Sequence, residues 1–544
     1  MFWADEIAAR AAEAAGTAEQ AGPGTPQVVN DSKTPSGTVH VGSLRGPVIH
    51  DEIWRSLRRA GVDATFRYGV DDLDPMDAAA LLTPDAVDRY MGVPLTHVPA
   101  PPGSGAANFA RHFVGELFLG TFEPLGLHPE VYWMSEVYGA GDMDRYIRVA
   151  LDGAETIRTI YRDVSHVDKE PGWLPLSVIC ENCGRIGTTV PTDWDGQTVA
   201  YACRPDAVEW ATGCGHSGRT SPFGGQAKLL FNVDWAARWS LFGVTIEGCG
   251  KDLATAGGSR DRSDAIARQV FGREPPINVP YEFINIGGRK MSTSRGTGVA
   301  AHEITAVMPP NELRMLFVRH RPNVAFEFNP DQTDAIPRQI DDFDRLAAKT
   351  AGRPVRGELP ADADRIFAAS LVDAEADPAT EAAAFRPAFG HLALLVQLPG
   401  IDVPERAAAE KGAPLTEREL VILEERTRAV RAWLDTYAPP EARVEVHRDG
   451  VPEVASQLTP DQRGFLSTLA DALATLPATE WVGEGIQSAI FSTAQERGIA
   501  TGAGFAALYA AFLGRPSGPR AGWLLASLDR PFVVERLRAA GGGA

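Results

Sequence analysis

The chain has 544 residues, 44% of them hydrophobic and 23% charged, with a formal net charge of −19. A single core does not grow to that length, so roughly two to four domains are expected. The acidic balance excludes non-specific nucleic-acid binding by the whole surface, and the absence of any apolar run near ~18 residues gives no reason to expect a membrane span.

The stretch from Met1 to Gln20 is rich in alanine, carries Asp5, Glu6, Glu13 and Glu19, and has no basic leader. It reads as a helix and not as a signal peptide. The five cysteines, few for so long a chain, fit a reducing cytoplasm. Gln27 to Asn30 reads as a short buried strand, and Leu44 to Arg59 as a helix with Leu44, Val48, Ile53 and Leu57 on its apolar face. Between them, Pro35 and Gly37 break both periods. The helix therefore opens near His40, and its free N–H groups suit a phosphate. Gly42 leaves room for a flat ring, and His40 can donate to a phosphate oxygen as charge develops.

Ala64 to Val70 is a second strand, ending at Asp71, Asp72 and Asp74. Ligands of open α/β sheets sit beyond such strand ends, and carboxylates there suit a cationic group. Residues 142–166 read as one helix, with Ile147, Leu151, Ala154 and Ile157 on its apolar face. Cys180 and Cys183 form a CxxC knuckle, followed by Cys203, Cys214 and His216. The pattern fits a structural zinc ribbon, the fourth ligand being Cys203 or His216; the alternatives are a redox pair or an empty, degenerate ribbon. Cys249 reads as a buried thiol.

Val233 to Trp239 is helical, and places Trp235 and Trp239 on one face. Thr245 to Glu247 is a strand leading into the glycine-rich turn Gly250 to Gly258. Ile284 to Gly296 reads as a strand running into a basic, hydroxyl-rich loop that contains Lys290, Ser292, Thr293, Ser294 and Arg295. Asn311 to His320 is helical, Asp331 to Pro360 is linker and short helix, and the chain is helical from Ala361 onward. Helices are expected at Thr416–Tyr437, at Pro460–Leu476 and from Trp523. Arg426, Arg428 and Arg431 form the densest basic cluster, read residue by residue as a solvated face.

The turn at Thr34–Ser43 and the loop at Gly287–Gly296 together resemble the HIGH and KMSKS sequences of class I aminoacyl-tRNA synthetases. More narrowly, TPSGTVHVGSLRG, YGVDDLDP, VDWAARW, GKDLATAGGS and GGRKMSTSRG follow one another as in class I lysyl-tRNA synthetases, and on them the chain is identified as a member of that family. The resemblance covers about residues 27–345 and is looser beyond.

It implies a doubly wound Rossmann-type α/β domain over 25–300, preceded by a helix over 1–24 and interrupted by a zinc ribbon over 167–225. A helical connector over 301–360 and an all-α tRNA anticodon-binding domain over 361–544 follow. The implied reaction is activation of L-lysine by ATP with Mg²⁺, then transfer to a lysine-accepting tRNA by a monomeric cytoplasmic enzyme. His40 and Lys290 would be catalytic. Thr34, Pro35, Ser36, Gly37, Gly42, Ser43, Ser292, Thr293 and Ser294 would seat ATP. Ser32, Thr34, Asp71, Asp72, Trp235, Asp252 and Leu253 would border the amino acid. Cys180, Cys183, Cys203 and Cys214 would hold structural zinc. Leu253 stands where family members carry His, and Ser32 where several carry Gly, and both positions adjoin the amino acid in the family. Of a second zinc set found in some members over 92–125, only His112 has a counterpart, so no metal is expected there. The rival readings are a glutamyl-type synthetase, a small-cofactor nucleotidyltransferase and a non-catalytic RNA-binding paralogue.

Overall fold

The computed structural model describes residues 1–17, 26–290, 299–398 and 401–542, without the side chains of 15–17, 289 and 290. The chain divides into two compact units. One comprises Met1–Thr305, Leu313–Phe328 and Leu359–Ala376, the other Ala306–Glu312, Asn329–Glu358 and Asp377–Ala544.

The first unit is built on five parallel strands: β1 (Gln27–Lys33), β2 (Ala64–Val70), β3 (Glu130–Trp133), β4 (Ile246–Gly250) and β5 (Ile277–Tyr281). Their spatial order is β5-β4-β1-β2-β3. This is the doubly wound order, with its topological switch between β1 and β4. Helix α1 (Trp3–Thr17) precedes the sheet, and α2 (Arg45–Arg59) makes the crossover from β1 to β2. The expected apolar face of α2 is buried: Val48, Ile53 and Leu57 are fully inaccessible. The opposite face is buried too, and is neutralised internally. Asp51 pairs with Arg55 at 2.8 Å, and both Asp51 and Glu52 meet the fully buried Arg314.

An insertion between β3 and β4 carries two small antiparallel sheets. Leu176–Val178 pairs with Ala227–Leu229, and Thr189–Trp194, Val199–Cys203 and Ser217–Thr220 form a three-stranded ribbon. The helix expected over 142–166 is instead two, Asp144–Asp152 and Ala154–Ser165. They part at Gly153, where a Cβ would lie 3.1 Å from the Val149 carbonyl oxygen. Residues Leu359–Ala376 fold with the first unit because Arg365 of helix Ala363–Ser370 binds Asp5 and Glu52, and Arg55 donates to the Leu371 carbonyl.

The second unit is helical. Glu417–Thr436 opens on a full capping box between Thr416 and Glu419. Pro460–Thr475 matches its expected span, and the terminal segment is two helices, Ala521–Ala526 and Arg530–Gly541, the second begun by Pro531. The stretch expected as linker and short helix over 331–360 holds a 16-residue helix, Ala335–Thr350, with Ile336, Ile340, Phe343 and Ala347 buried. Arg426 does not belong to a solvated face. It is buried, and its guanidinium meets Glu312 at 2.8 Å and Asp344 at 2.5 Å. Among the described residues no helix is long and apolar enough to cross a membrane.

Candidate active site and cysteine cluster

The first motif sits at the carboxyl end of central strand β1. Beyond Lys33 the chain turns sharply, with the Ser36 N–H donating to the Thr34 carbonyl at 2.9 Å. Gly37 has φ +119°, a conformation that side chains rarely adopt, so the turn requires glycine there. His40 caps a single 3₁₀ turn, Val41–Leu44, which leads directly into α2. The helix thus opens where expected, through a tighter first turn that includes Gly42 and Ser43.

The second motif returns to the first. Ile284–Ile286 folds back as a hairpin onto Arg289–Lys290, so the strand does not simply run into a loop. The two residues between, Gly287 and Gly288, have φ +56° and +71°, as a tight turn of this hand requires. The Lys290 backbone faces Asn285. The Lys290 side chain and residues Ser292, Thr293 and Ser294 lie outside the described residues. The chain re-emerges bonded to the first motif. His40 bridges Ala300, the Val41 N–H donates to the Val299 carbonyl at 2.7 Å, and the Ala301 N–H donates to the Val39 carbonyl at 2.8 Å. Residues about 260 positions apart are thereby fixed side by side.

The strand ends beside this turn carry a buried polar cluster. Asp71 and Asp72 follow β2, as the sequence places them, but neither is a free carboxylate. Asp71 pairs with Arg238 at 2.9 Å, and Arg238 also meets Asp234 at 3.0 Å. Burial alone would lower the Arg238 guanidinium's pKa; Asp71 and Asp234 instead hold it well above its ordinary value. Asp72 accepts from the Ser135 N–H and hydroxyl at 2.8 and 2.5 Å. Asp74 pairs with Lys228 and accepts from the Thr34 hydroxyl at 3.1 Å. Glu247 on β4 accepts from the Asn30 amide at 2.9 Å and from the Trp239 indole, and burial raises its pKa. Two basic groups, Lys228 and Arg238, thus face four carboxyls, Asp71, Asp74, Asp234 and Glu247, while the cation that acts on Asp72 is Arg111.

Trp235 is 4% exposed and stacks on Phe231 at 5.4 Å, packed within the core. Asp252 and Leu253 lie in the turn after β4; Asp252 is exposed, and Leu253 packs partly buried against the core. Ser32 is half-buried at the end of β1. The sequence reading missed Asn30, Lys228, Arg238 and Glu247. Only Arg238 had a local signal, its i,i+4 spacing from Asp234.

Among the described residues, one buried carboxyl near the first motif has no cation at hydrogen-bonding range. Asp31 is 5% exposed, and burial pushes it up to about 7. Its neighbour His50 is neutral by geometry: Nδ1 donates to the Gly46 carbonyl, and Nε2 accepts from the Gly248 N–H, both at 2.7 Å. With the folded pKa above the ordinary value of 3.8, the folded state holds the extra proton between those values. Asp31 therefore costs stability as pH rises through that window, on the order of 4 kcal/mol in full. The stability gain of Asp31→Asn over the parent is expected to grow from about pH 4 and level off above about pH 7, read by thermal melts. A gain that shrinks with rising pH would reject the neutral carboxyl.

In the insertion, the Cys180, Cys183, Cys203 and Cys214 sulfurs all lie within 4.8 Å of one another and form no disulfide. The Cys180–Cys214 and Cys183–Cys203 separations are 3.7 Å. A tetrahedral ion with ~2.3 Å bonds to sulfur requires about 3.8 Å between sulfurs, so the donor set fits zinc. Among the described residues His216 does not join this set. Its backbone pairs with the cluster, the Cys203 N–H donating to the His216 carbonyl at 2.8 Å, while its ring lies 6.0 Å from that of Tyr201.

The family model "tRNA synthetases class I (K)" matches residues 1–371, and "Anticodon binding domain" matches 395–541. A lysine–tRNA ligase of Methanosarcina barkeri is 32% identical over 559 aligned positions, covering 99% of this chain and 98% of that protein. Lysine–tRNA ligases of Archaeoglobus fulgidus and Pyrococcus horikoshii are 32% and 31% identical, each over 99% of this chain and 100% of their own length. With the two motifs joined at one strand end and the family match running through both the sheet and the insertion, the chain belongs to the class I tRNA synthetases, in the group designated K.

Proposed function

We propose that the chain is a lysine–tRNA ligase. Its first step is attack of the lysine carboxylate on the α-phosphorus of ATP; the bond to the bridging oxygen breaks and pyrophosphate leaves. In the second step a terminal ribose hydroxyl of tRNA attacks the acyl carbon and AMP leaves. No side chain need act as a nucleophile, so positioning and charge stabilisation carry the rate. The carrying observation is the backbone pairing of His40 with Ala300, which brings the segment after the Lys290 loop onto the phosphate-binding turn. His40 and Lys290 are assigned to the developing charge on the phosphates, and Thr34 to Ser43 to the ATP seat. Mg²⁺ accompanies the triphosphate.

The excess of carboxyls over cations around Arg238 and Lys228 favours an ammonium-bearing substrate over glutamate. A substrate ammonium would stabilise the ionised forms of Asp72 and Glu247, both disfavoured by burial. Pyrophosphate exchange with lysine, ornithine, arginine and glutamate, each over a concentration series, tests the reading. Lysine should drive exchange while glutamate and arginine stay silent. Exchange with another amino acid and silence with millimolar lysine would show that Ser32 and Leu253 mark a changed specificity.

One structural zinc ion is assigned to Cys180, Cys183, Cys203 and Cys214, where it ties the CxxC knuckle to the ribbon. Elemental analysis of protein purified without chelator should return one zinc per chain. Cys203→Ser should lose it and His216→Ala should keep it; the reverse pattern would move the fourth ligand to His216.

A further inference from the structure

The strand pair that ends at Lys290 stands apart from the five-stranded sheet. Among the described residues Ile284–Ile286 pairs with Arg289–Lys290 on one side and Phe326–Glu327 on the other, as a small sheet of its own. His40 instead follows β1 of the large sheet and opens the turn into α2. One side chain spans the two. Arg45, the first residue of α2, is fully buried. Its Nη1 donates to the Glu282 and Phe283 carbonyls at 2.8 and 3.4 Å. Its Nη2 donates to the Arg321, Pro322 and Val324 carbonyls at 3.1, 3.1 and 2.7 Å. These carbonyls lie just ahead of Ile284 and of Phe326, at the roots of both strands, which the Glu282 N–H joins by donating to Pro322 at 2.8 Å. The guanidinium also lies 4.9 Å from the centre of the Phe326 ring, which stacks on His320 at 4.3 Å.

Among the described residues no carboxylate pairs with Arg45, and burial pushes its pKa down to about 10. A charge buried without a counter-ion is costly unless its donors are well used. Here a planar fork donates to two backbone segments at once, which neither an ammonium nor an apolar side chain can reproduce.

We propose that Arg45 is a positioning residue for adenylate formation, setting the hairpin that carries Lys290 against the turn that carries His40. The inference rests on the ligase reading for its reaction. His40 enters the site from the start of α2, and Lys290 from a sheet held by the first side chain of the same helix. Loss of the fork lets the hairpin shift, and a misplacement of ~1 Å costs on the order of a hundredfold in rate. Pyrophosphate leaves only in the first step, so the loss should fall there.

The test compares Arg45→Met and Arg45→Lys with the parent, each also in a Lys290→Ala background. Arg58→Gln, on the exposed end of the same helix, is the control. In single turnover, adenylate formation should fall about a hundredfold in Arg45→Met and about tenfold in Arg45→Lys, with KM for ATP and lysine changed less than about threefold. Transfer to tRNA from preformed enzyme-bound adenylate should stay within about twofold, and Arg58→Gln should match the parent. In the Lys290→Ala background Arg45→Met should cost less than about twofold more, because Arg45 acts through Lys290. Equal loss in both steps, or the full loss again without Lys290, would make Arg45 a general clamp of the fold and overturn the proposal. Where Arg45→Met does not fold, Phe326→Leu replaces it and should show the same split between steps at smaller size. Amide hydrogen exchange supplies a readout that needs no reaction. The peptide over 284–290 should exchange at least about tenfold faster in Arg45→Lys while β1 and β2 keep the parent rate. Parent-rate exchange of that peptide would overturn the proposal even if adenylation fell. A parent silent with lysine would strike the ligase reading, and the hydrogen-exchange arm would still judge the hold of Arg45 on the hairpin.

Discussion

Replacing His40 by Ala is expected to slow adenylate formation by roughly 10²–10³, the loss of one preorganised donor to developing charge, or about 2.7–4 kcal/mol. Binding of ATP and lysine should change much less, because that charge exists in the transition state and not in the ground state. The fold should survive the change. What fixes the turn is backbone: the bridge to Ala300, the Val41 bond to Val299, and the Ser43 N–H donating to the His40 carbonyl at 2.9 Å. Lys290→Ala should lose a comparable factor, and the double variant less than the product of the two, since both groups serve one transition state. Rapid-quench measurement of adenylate formation at saturating substrates decides it. A His40→Ala enzyme that forms adenylate at the parent rate would remove His40 from the chemistry, while a large rise in KM at constant kcat would make it a binding residue.

Much of the nucleotide-binding half was legible because local rules and tertiary structure agree there. Pro35 and Gly37 stop the strand, and the three-to-four spacing after Leu44 can only be a helix; the structure adds the 3₁₀ turn. Where a local rule was read too strictly, the reading failed. The apolar period of 142–166 runs unbroken across Gly153, so nothing in the pattern marked the break. The helix within 331–360 is longer than the short one expected: Pro337 stands in its first turn, where proline costs little, and Ile336, Ile340 and Phe343 carry the apolar spacing on. Arg426 was grouped with its basic neighbours, although it stands four residues from both Ile422 and Val430, on the buried stripe. Leu420 on the same helix is 44% exposed, off that stripe.

The acids after β2 show a different limit. The sequence locates Asp71, Asp72 and Asp74 at a strand end but carries no sign of what neutralises them. Their partners Arg238, Ser135 and Lys228 arrive from elements far along the chain. An isolated DDLD reads as an open cation site; with its partners present it is mostly a neutralised wall, and the excess charge is a property of the whole cluster.

That difference leads to the second large effect. Arg238→Met should destabilise the first unit by about 3–5 kcal/mol, because it leaves Asp71 and Asp234 buried without their counter-ion. Asp234 keeps the Tyr138 hydroxyl at 2.5 Å, so most of the cost should fall on Asp71. Removing that charge as well should therefore rescue the variant. Asp71→Asn alone should weaken the protein by leaving the guanidinium with Asp234 as its one paired carboxylate, yet the Asp71→Asn, Arg238→Met double variant should be more stable than Arg238→Met, with a favourable coupling on the scale of ~0.5–3 kcal/mol. Denaturant unfolding of the four proteins measures the coupling. If Asp71 instead binds the substrate ammonium as a free carboxylate, Asp71→Asn should abolish lysine-driven exchange at unchanged stability, and the two substitutions should simply add. The ion pair at 2.9 Å, with both groups at most 4% exposed, predicts the first pattern and not the second.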